Sequence, residues 1–287
     1  MSLTNITYPY PTKTIKTEDS CEIHYMEAGK GEKTLVFIHG LGNYAPVWTR
    51  NFDVLKEHYR CIAIDLPGYG LSDKNNHKFG IPFFADALFH FLEDLRIQNP
   101  VIVGHSMGGM VALRFAIKYP GIAEKLVLCA PAGFEVFSAM ERTMYYSMLH
   151  MVDMVTSDEF SLAKTLEMSF HNYAHQADGL IKDLVNIMKL YPSGYYKKLL
   201  DASIRSMLED EVYNELGKID CPVSVLFGKN DALIPNKLIH RTSTEQLAQE
   251  GISKLKNARL KMVPNCGHFV HWECAETTNE EIRTFVS

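Results

Sequence analysis

The fold is decided by the stretch Val101-Ile102-Val103-Gly104-His105-Ser106-Met107-Gly108-Gly109, in which a short apolar run ends in Gly-x-Ser-x-Gly. Residues 110–116 then have helical spacing, so the pattern predicts a strand, a sharp turn with Ser106 at its apex, and a helix. Such a turn crowds the positions two residues from its apex, which explains why Gly104 and Gly108 are small. The N-terminus of the helix beneath Ser106 favours developing negative charge, so the geometry suits a nucleophile.

A short motif of this kind is weak evidence by itself, because a pattern with so few fixed residues recurs by chance. An ordinary turn rich in glycine and serine is the simpler alternative. The rest of the chain has to decide between the two interpretations.

Length and composition favour one large α/β domain that carries an insertion. The chain has 287 residues, of which 46% are hydrophobic and 22% are charged, enough for a sizeable core. Its formal net charge of −5 argues against nucleic acid or an anionic membrane as a partner. Residues 1–11 lack the basic start and the apolar core of a signal peptide. No run of about 18 apolar residues predicts a transmembrane helix.

The cysteines favour a reducing compartment. They are scattered, with no Cys-x-x-Cys pair, at Cys21, Cys61, Cys129, Cys221, Cys266 and Cys274. Reduced thiols in a cytoplasmic protein fit this pattern better than disulfides or zinc. Because the sequence also has no metal-binding cluster and no phosphate-binding glycine loop, we expect neither a metal nor a cofactor.

The order of the apolar runs predicts a doubly wound, mostly parallel sheet. Residues 12–28 alternate polar and apolar side chains, as in an antiparallel hairpin. Continuous apolar runs, typical of strands buried on both faces, follow at 35–38, 61–64, 101–103, 126–130, 223–227 and 259–263. Helical patterns lie between several of these runs, at 82–96, 108–119, 236–250 and 273–286. The alternation predicts strand–helix–strand crossovers and hence the α/β class.

One long interval interrupts this alternation. Residues 133–218 show no convincing strand, have a helical pattern and are rich in methionine and aromatic residues. We therefore predict a helical cap inserted into a core domain formed by residues 1–132 and 219–287.

A methionine stripe begins the predicted cap. Its members recur at helical spacing: Met140, Met144, Met148 and Met151. The stripe either packs the cap onto the core or lines an adaptable apolar pocket. On the second interpretation Met140 and Met144, with Phe134 nearby, contact the substrate.

Later strand ends supply the partners that a serine nucleophile requires. A serine hydroxyl needs a base in contact, and the base needs a carboxylate to orient it. Asp231 follows the run at 223–227, and His268 follows the run at 259–263. In a doubly wound sheet both loops reach the edge that carries Ser106, so the order serine, aspartate, histidine matches the mechanism.

Five short motifs follow one another along the chain: His39-Gly40-Leu41-Gly42, Asp65-Leu66-Pro67-Gly68-Tyr69-Gly70-Leu71-Ser72, the turn around Ser106, Gly228-Lys229-Asn230-Asp231 and Gly267-His268. In this order, and over nearly the whole chain, they resemble the α/β-hydrolase fold superfamily. The resemblance is to its cap-bearing serine hydrolases of the carboxylesterase type.

The resemblance implies that Ser106 is the nucleophile, His268 the general base and acid, and Asp231 the orienting carboxylate. Two of these assignments have competitors. His271 lies three residues after His268, nearer the last helix, and Glu135 follows the run at 126–130, where some relatives place their carboxylate. The motifs themselves favour His268 and Asp231.

The resemblance also implies an oxyanion hole formed by the backbone N–H groups of Leu41 and Met107. Gly40 lets the loop that carries Leu41 fold close to the serine and to a bound substrate. Four polar groups near the site are interpreted as structural: Asp65, His39, His105 and Cys266.

The implied reaction needs no cofactor. It is hydrolysis of a small-molecule carboxylic ester or thioester through an acyl-serine intermediate. The methionine-rich composition of the predicted cap leads us to expect a preference for apolar acyl groups. The serine disfavours the branches of the superfamily with an aspartate nucleophile, which dehalogenate haloalkanes or open epoxides. The oligomeric state stays open.

Two other functions stay open as well. A carbon–carbon bond hydrolase that acts on ring-cleavage products shares this triad but must bind a dienoate carboxylate, for which Arg114, Arg142 and Arg205 are candidates. Arg114 is alternatively a charge on a helix surface. A ligand-sensing protein would need minutes per event, whereas an enzyme should exceed about one event per second.

Overall fold

The computed structural model describes residues 7–18, 21–75, 78–155, 164, 166–173, 176–190 and 194–287, without the side chains of 148–155 and 188–190. Eight strands form one sheet: β1 (Thr12–Lys16), β2 (Glu22–Ala28), β3 (Thr34–Ile38), β4 (Arg60–Ile64), β5 (Val101–His105), β6 (Lys125–Cys129), β7 (Val223–Gly228) and β8 (Ala258–Val263). Their spatial order is β1-β2-β4-β3-β5-β6-β7-β8. The pairs β1–β2 and β2–β4 are antiparallel and the others are parallel.

The burial of the central strands explains their continuous apolar runs. Every residue of β3, β5 and β7 is buried, because helices cover both faces of the sheet. The hairpin predicted at 12–28 and all six predicted parallel-sheet runs are confirmed as strands. The predicted fold class, a doubly wound and mostly parallel α/β sheet, is confirmed as well.

The helices that the structure describes are α1 (Thr49–Leu55), α2 (Ile81–Asp94), α3 (Met107–Lys118), α4 (Ala139–Val155), α5 (Asp178–Leu190), α6 (Tyr195–Glu209), α7 (Val212–Glu215), α8 (Thr244–Ser253), α9 (Val270–Glu273) and α10 (Ala275–Val286). Short 3-10 turns occupy Ala45–Trp48 and Leu216–Lys218. Helix α1 packs against α10, and α2 packs against α3.

Two predicted helices differ from the observed ones. The helix predicted at 236–250 begins only at Thr244, because Ser243 and Gln246 form a capping box that starts α8 there. The preceding residues make a loop, in which Asn236 and His240 bind the carboxylate of Glu135. The helix predicted at 273–286 is divided at Cys274, which has a non-helical φ of −117° and ψ of 49°.

The interval between β6 and β7 contains helices α4, α5, α6 and α7, and its described residues include no strand. This agrees with the predicted helical character of residues 133–218, while the two boundaries of a cap stay a prediction. In the parts of the chain that the structure describes, no helix combines the length and apolar character needed to cross a membrane. The six cysteines, all of them described, form no disulfide bond with one another.

Candidate active site

Ser106 lies at the apex of the turn between β5 and α3. Its backbone has φ 52° and ψ −117°, a positive φ that costs a non-glycine residue about 1–3 kcal/mol. Two hydrogen bonds hold this conformation: the Ser106 N–H donates to the Cys129 carbonyl at 3.0 Å, and the Ala132 N–H donates to the Ser106 carbonyl at 3.0 Å. The neighbouring strand β6 therefore fixes the serine at the sheet edge.

The two glycines of the turn are required by backbone contacts. A Cβ atom on Gly108 would lie 2.3 Å from the carbonyl oxygen of Ile38 and 2.5 Å from that of His39. A Cβ atom on Gly104 would lie 2.5 Å from the carbonyl oxygen of Gly108. The start of α3 thus passes directly over β5 and over the end of β3.

His268 and Asp231 form a buried pair. The Nδ1 atom of His268 lies 2.9 Å from Oδ2 of Asp231, whose side chain is fully buried. The other carboxylate oxygen accepts hydrogen bonds from the backbone N–H groups of Leu233 at 2.8 Å and Ile234 at 3.0 Å. Because a carboxylate only accepts, Nδ1 must carry the proton, and Nε2 keeps its lone pair. The pair therefore presents His268 in the tautomer of a general base.

Ser106 and His268 line the same cavity. No hydrogen bond joins the hydroxyl to the imidazole, although both residues belong to the described part of the chain. Hydrogen bonds between a nucleophile and its base often tighten only when substrate binds, so this geometry remains compatible with proton transfer. The structure thus brings the three predicted catalytic residues to one edge of the sheet.

The predicted oxyanion-hole residues, Leu41 and Met107, both belong to the surroundings of Ser106. Met107 is the first residue of α3, so its N–H has no partner within the helix. Leu41 lines the cavity. Gly40 packs against the turn, since a Cβ atom there would lie 3.2 Å from Cβ of Ser106 and 2.9 Å from Nδ1 of His105. Its small size allows the loop that carries Leu41 to approach the serine.

His39 orders the loop that carries Gly40. Its Nε2 accepts a hydrogen bond from the Leu66 N–H at 3.1 Å, so Nδ1 is the donor to the Gly40 carbonyl at 2.8 Å. Burial lowers the pKa of His39, which keeps the ring neutral. The neutral tautomer is the one that this pair of bonds requires.

His105, which lines the cavity, and the competitor His271 belong to a cluster of mutually tilted rings. His105 donates from Nε2 to the His268 carbonyl at 3.1 Å. His271 lies between the rings of His105 and Trp48, at centroid distances of 4.2 and 4.3 Å. Burial lowers the pKa of His105 well below its usual value and that of His271 to about 3. His271 is outside the cavity lining, so it does not compete with His268 for the serine.

The competing carboxylate, Glu135, lines the cavity but is engaged elsewhere. One of its oxygens accepts from the Asn236 N–H at 2.8 Å and lies 2.5 Å from Nδ1 of His240. Burial raises the pKa of Glu135. It makes no hydrogen bond to His268, whose Nδ1 points to Asp231.

Asp65, interpreted as structural, holds the loops around it together. Its buried carboxylate accepts hydrogen bonds from the Ala45 N–H at 2.7 Å, the Leu71 N–H at 2.8 Å and the hydroxyl of Tyr8.

Cys266 is fully buried beside the His268 loop. Among the residues of the described ranges, no group of three or more His, Cys, Asp or Glu could hold a metal ion.

The cavity above Ser106 has a volume of about 450 Å³. It is lined mainly by apolar side chains, with a polar minority: Leu41, Asn43, His105, Ser106, Ala132, Gly133, Glu135, Phe137, Tyr145, Leu166, Ser169, Met207, Leu208, Ala232, Leu233, Ile234, Asn236, Lys237, Leu238, His268 and Phe269. Many lining residues follow Asp231 directly in sequence. Their position directly after Asp231 is the sequence signal from which they could have been found.

The two methionines predicted to contact the substrate are not part of the cavity wall, and the side chains of Met148 and Met151 lie outside the described residues. Met140 is 74% exposed and Met144 46% exposed, and both lie outside the cavity lining. The face of α4 that carries them is turned to solvent, while Tyr145 on the same helix reaches the cavity. Phe134 is also outside the lining, because it is buried against Gly251 of α8. Gly40 packs against Ser106 without lining the cavity.

Each of the three candidate arginines has a partner in the protein. Arg114 binds Asp210 and lies 2.8 Å from Glu215. Arg142 donates to the Phe137 carbonyl at 2.8 Å, and Arg205 stacks over the ring of Tyr146 at 4.3 Å. None of these arginines is among the described residues that line the cavity.

Known proteins resemble this chain over most of its length. Epoxide hydrolase 1 of Caenorhabditis elegans is 23% identical over 308 aligned positions, which cover 99% of this chain and 72% of that protein. The 2-hydroxy-6-oxo-6-phenylhexa-2,4-dienoate hydrolase of Comamonas testosteroni is 27% identical over 263 positions, or 90% of this chain and 88% of the relative.

Solved structures and a family profile agree on the fold. An esterase from Exiguobacterium antarcticum superposes with a TM-score of 0.80 at 19% identity, over 96% of this chain and 98% of that one, which supports the fold alone. The profile of the alpha/beta hydrolase fold matches residues 33–275, which include all six parallel strands and the loops of Ser106, Asp231 and His268. The chain therefore belongs to the alpha/beta hydrolase fold family and is a hydrolase of that fold.

Proposed function

We propose that the protein is a serine hydrolase that cleaves carboxylic esters or thioesters through an acyl-serine intermediate. The observation that carries the proposal is the meeting of two features in one cavity. A strained serine stands at a helix N-terminus, and a buried aspartate fixes the tautomer of a histidine that faces the same space. This arrangement supplies a nucleophile, a base and an electrostatically favourable place for an oxyanion.

The proposed mechanism begins with attack of the Ser106 oxygen on the substrate carbonyl. Nε2 of His268 takes the hydroxyl proton, and the Asp231 carboxylate stabilises the imidazolium that results. The carbonyl oxygen becomes an oxyanion and accepts hydrogen bonds from the N–H groups of Leu41 and Met107. His268 then gives its proton to the leaving alcohol or thiol. Water then attacks the acyl-serine while His268 takes a proton from the water. His268 returns this proton to the Ser106 oxygen as the acyl bond breaks, which releases the carboxylic acid and restores Ser106.

The cavity lining supports an apolar acyl group as the substrate. Phe137, Leu166, Met207 and Leu233 are among the side chains that surround the space next to Ser106. A volume of about 450 Å³ admits a small or medium ester. An acyl chain that carries a charge would lose its hydration where it lies against these apolar side chains.

Carbon–carbon bond hydrolysis is the second candidate, because the Comamonas testosteroni relative is a hydrolase of a phenylhexadienoate. That reaction requires a cation for the dienoate carboxylate. Lys237 lines the cavity and could supply it, whereas Arg114, Arg142 and Arg205 have other partners. We rank ester hydrolysis first because Lys237 is exposed at the surface end of the cavity.

The test is a comparison of Ser106→Ala with wild type on p-nitrophenyl esters of increasing acyl length. We expect kcat to fall by at least about 10⁴-fold, as when a serine nucleophile is removed from a triad. Ser253→Ala removes an exposed hydroxyl at the end of α8 and serves as the control, with unchanged kcat. The phenylhexadienoate is assayed in parallel. Ester turnover that survives in Ser106→Ala refutes the proposal, and turnover of the dienoate alone favours the second candidate.

A further inference from the structure

The carboxylate of Glu273 joins two segments that are far apart in sequence. Glu273 ends α9, just after the loop that carries His268. Its Oε2 accepts hydrogen bonds from the backbone N–H groups of Gly267 at 2.7 Å and His171 at 3.2 Å, and its Oε1 accepts from the Asn172 N–H at 2.6 Å. One side chain therefore holds the residue before His268 together with two consecutive residues of the interval between β6 and β7.

A second set of contacts joins the same two segments without Glu273. The backbone N–H of His268 donates to the Ser169 carbonyl at 2.9 Å. The ring of Phe170 stacks on that of Phe269 at a centroid distance of 4.8 Å and an angle of 7°. Gly267 leaves no room for a side chain, since a Cβ atom there would lie 2.7 Å from the Ser169 carbonyl oxygen. The main chain of His268 is thus held by residues 169–172.

The same part of the chain also borders the cavity. Leu166 and Ser169 line the cavity together with Ser106 and His268. A shift of residues 169–172 would therefore change the cavity wall and pull on the main chain of the base at the same time. The contacts make substrate enclosure and base alignment parts of one arrangement.

We infer that Glu273 is a positioning residue that couples residues 169–172 to His268, so that the imidazole is aligned with Ser106 only while this segment is docked. The kinetic part of this inference rests on the proposed ester hydrolysis. Glu273 lies outside the cavity lining, so it acts through Gly267 and His268 and not on the substrate. A displacement of about 1 Å at a reacting group can lower a rate about 10²-fold.

The kinetic test replaces Glu273 by Gln. The substitution keeps the size of the side chain and one acceptor oxygen, but its NH₂ group faces a backbone N–H that needs an acceptor. We expect kcat on p-nitrophenyl esters to fall about 10- to 100-fold, with KM changed by less than about threefold. Glu276→Gln removes the same charge from an exposed residue of α10 and should change neither constant. Glu273→Asp keeps the carboxylate on a shorter stem, so its kcat should lie between those of the wild type and Glu273→Gln.

Hydrogen–deuterium exchange tests the coupling without any substrate. In Glu273→Gln, peptides that cover 169–172 and 267–269 should lose protection together, and in Glu276→Gln neither should. Loss of protection in only one segment, or kcat within about twofold of wild type in folded Glu273→Gln, overturns the inference. If Glu273→Gln does not fold, Glu273→Asp is used in both measurements under the same criteria. A wild type that hydrolyses no ester refutes the proposed function, while the exchange result still decides the coupling.

Discussion

Replacing Asp231 by Asn tests whether Asp231 or Glu135 is the carboxylate that orients His268. The introduced amide would keep one oxygen for the N–H groups of Leu233 and Ile234, which now donate to Oδ1 of Asp231 at 2.8 and 3.0 Å. Its NH₂ group would then face Nδ1 of His268 in place of the oxygen that lies 2.9 Å away. Two donors cannot share that contact, so the imidazole proton moves to Nε2. This is the atom that has to accept the proton of Ser106.

The expected loss in kcat for Asp231→Asn is about 10⁴-fold, the size seen when a triad histidine is held in the wrong tautomer. This corresponds to about 5.5 kcal/mol of transition-state stabilisation, at roughly 1.4 kcal/mol for each factor of ten. Folding should change little, because the two backbone hydrogen bonds survive. The loss should therefore appear in kcat and not in the urea midpoint.

The assay measures kcat on a p-nitrophenyl ester for wild type, Asp231→Asn and Glu135→Gln. Glu135→Gln is the matched control, since its amide oxygen can still accept from the Asn236 N–H and it makes no contact with His268. Its kcat should stay within about tenfold of wild type. The assignment of Asp231 as the orienting carboxylate is refuted if kcat of Asp231→Asn stays within tenfold of wild type. It is also refuted if Glu135→Gln loses more activity than Asp231→Asn.

Two further predictions concern stability. Gly108→Ala should lower the urea-derived free energy of unfolding by about 3 kcal/mol, because its Cβ atom would lie 2.3 Å from a carbonyl oxygen. Gly179→Ala, with open space around it in α5, should raise the free energy of unfolding by up to about 1 kcal/mol, and equal effects of the two substitutions would contradict the packing argument. His271 stays neutral in the folded state because burial lowers its pKa to about 3, whereas in the unfolded chain it binds a proton below about pH 6.5. Its contribution to the free energy of unfolding is therefore complete above pH 6.5 and is lost as the pH falls towards 3. Between pH 7 and 5, wild type should therefore lose about 2 kcal/mol more unfolding free energy than His271→Phe, and equal losses would refute this account.

Sequence patterns predicted the strands in which every residue is buried and the glycines that backbone atoms surround. The runs at 35–38 and 101–103 are apolar because β3 and β5 are buried on both faces, and Gly104 and Gly108 are small because backbone atoms surround them. Asp231 and His268 could be found because parallel strands bring their C-terminal ends to one sheet edge. In each case the physical constraint acts within a few residues of sequence and leaves a local signature.

The contribution of α4 to the cavity wall could not be predicted in this way. Met140 and Met144 have helical spacing, but the same spacing arises whether a stripe faces a pocket, a neighbouring domain or solvent. The orientation of α4 decides between these possibilities, and it depends on contacts far away in sequence. The start of α8 was wrong for a related reason, because the bonds from Asn236 and His240 to Glu135 hold the loop before it.

The contact between His268 and residues 169–172 shows where a long-range contact does leave a sequence signal. The Ser169 carbonyl and the His268 N–H are backbone groups, and their bond places no demand on either side chain. Gly267 is different, because a Cβ atom there would meet the backbone of Ser169 and His171 at 2.7 and 2.6 Å. The presence of glycine before His268 is therefore explained by the segment that docks on it. In the sequence, Gly267 is the one local sign that a segment from the interval between β6 and β7 packs against the loop of His268.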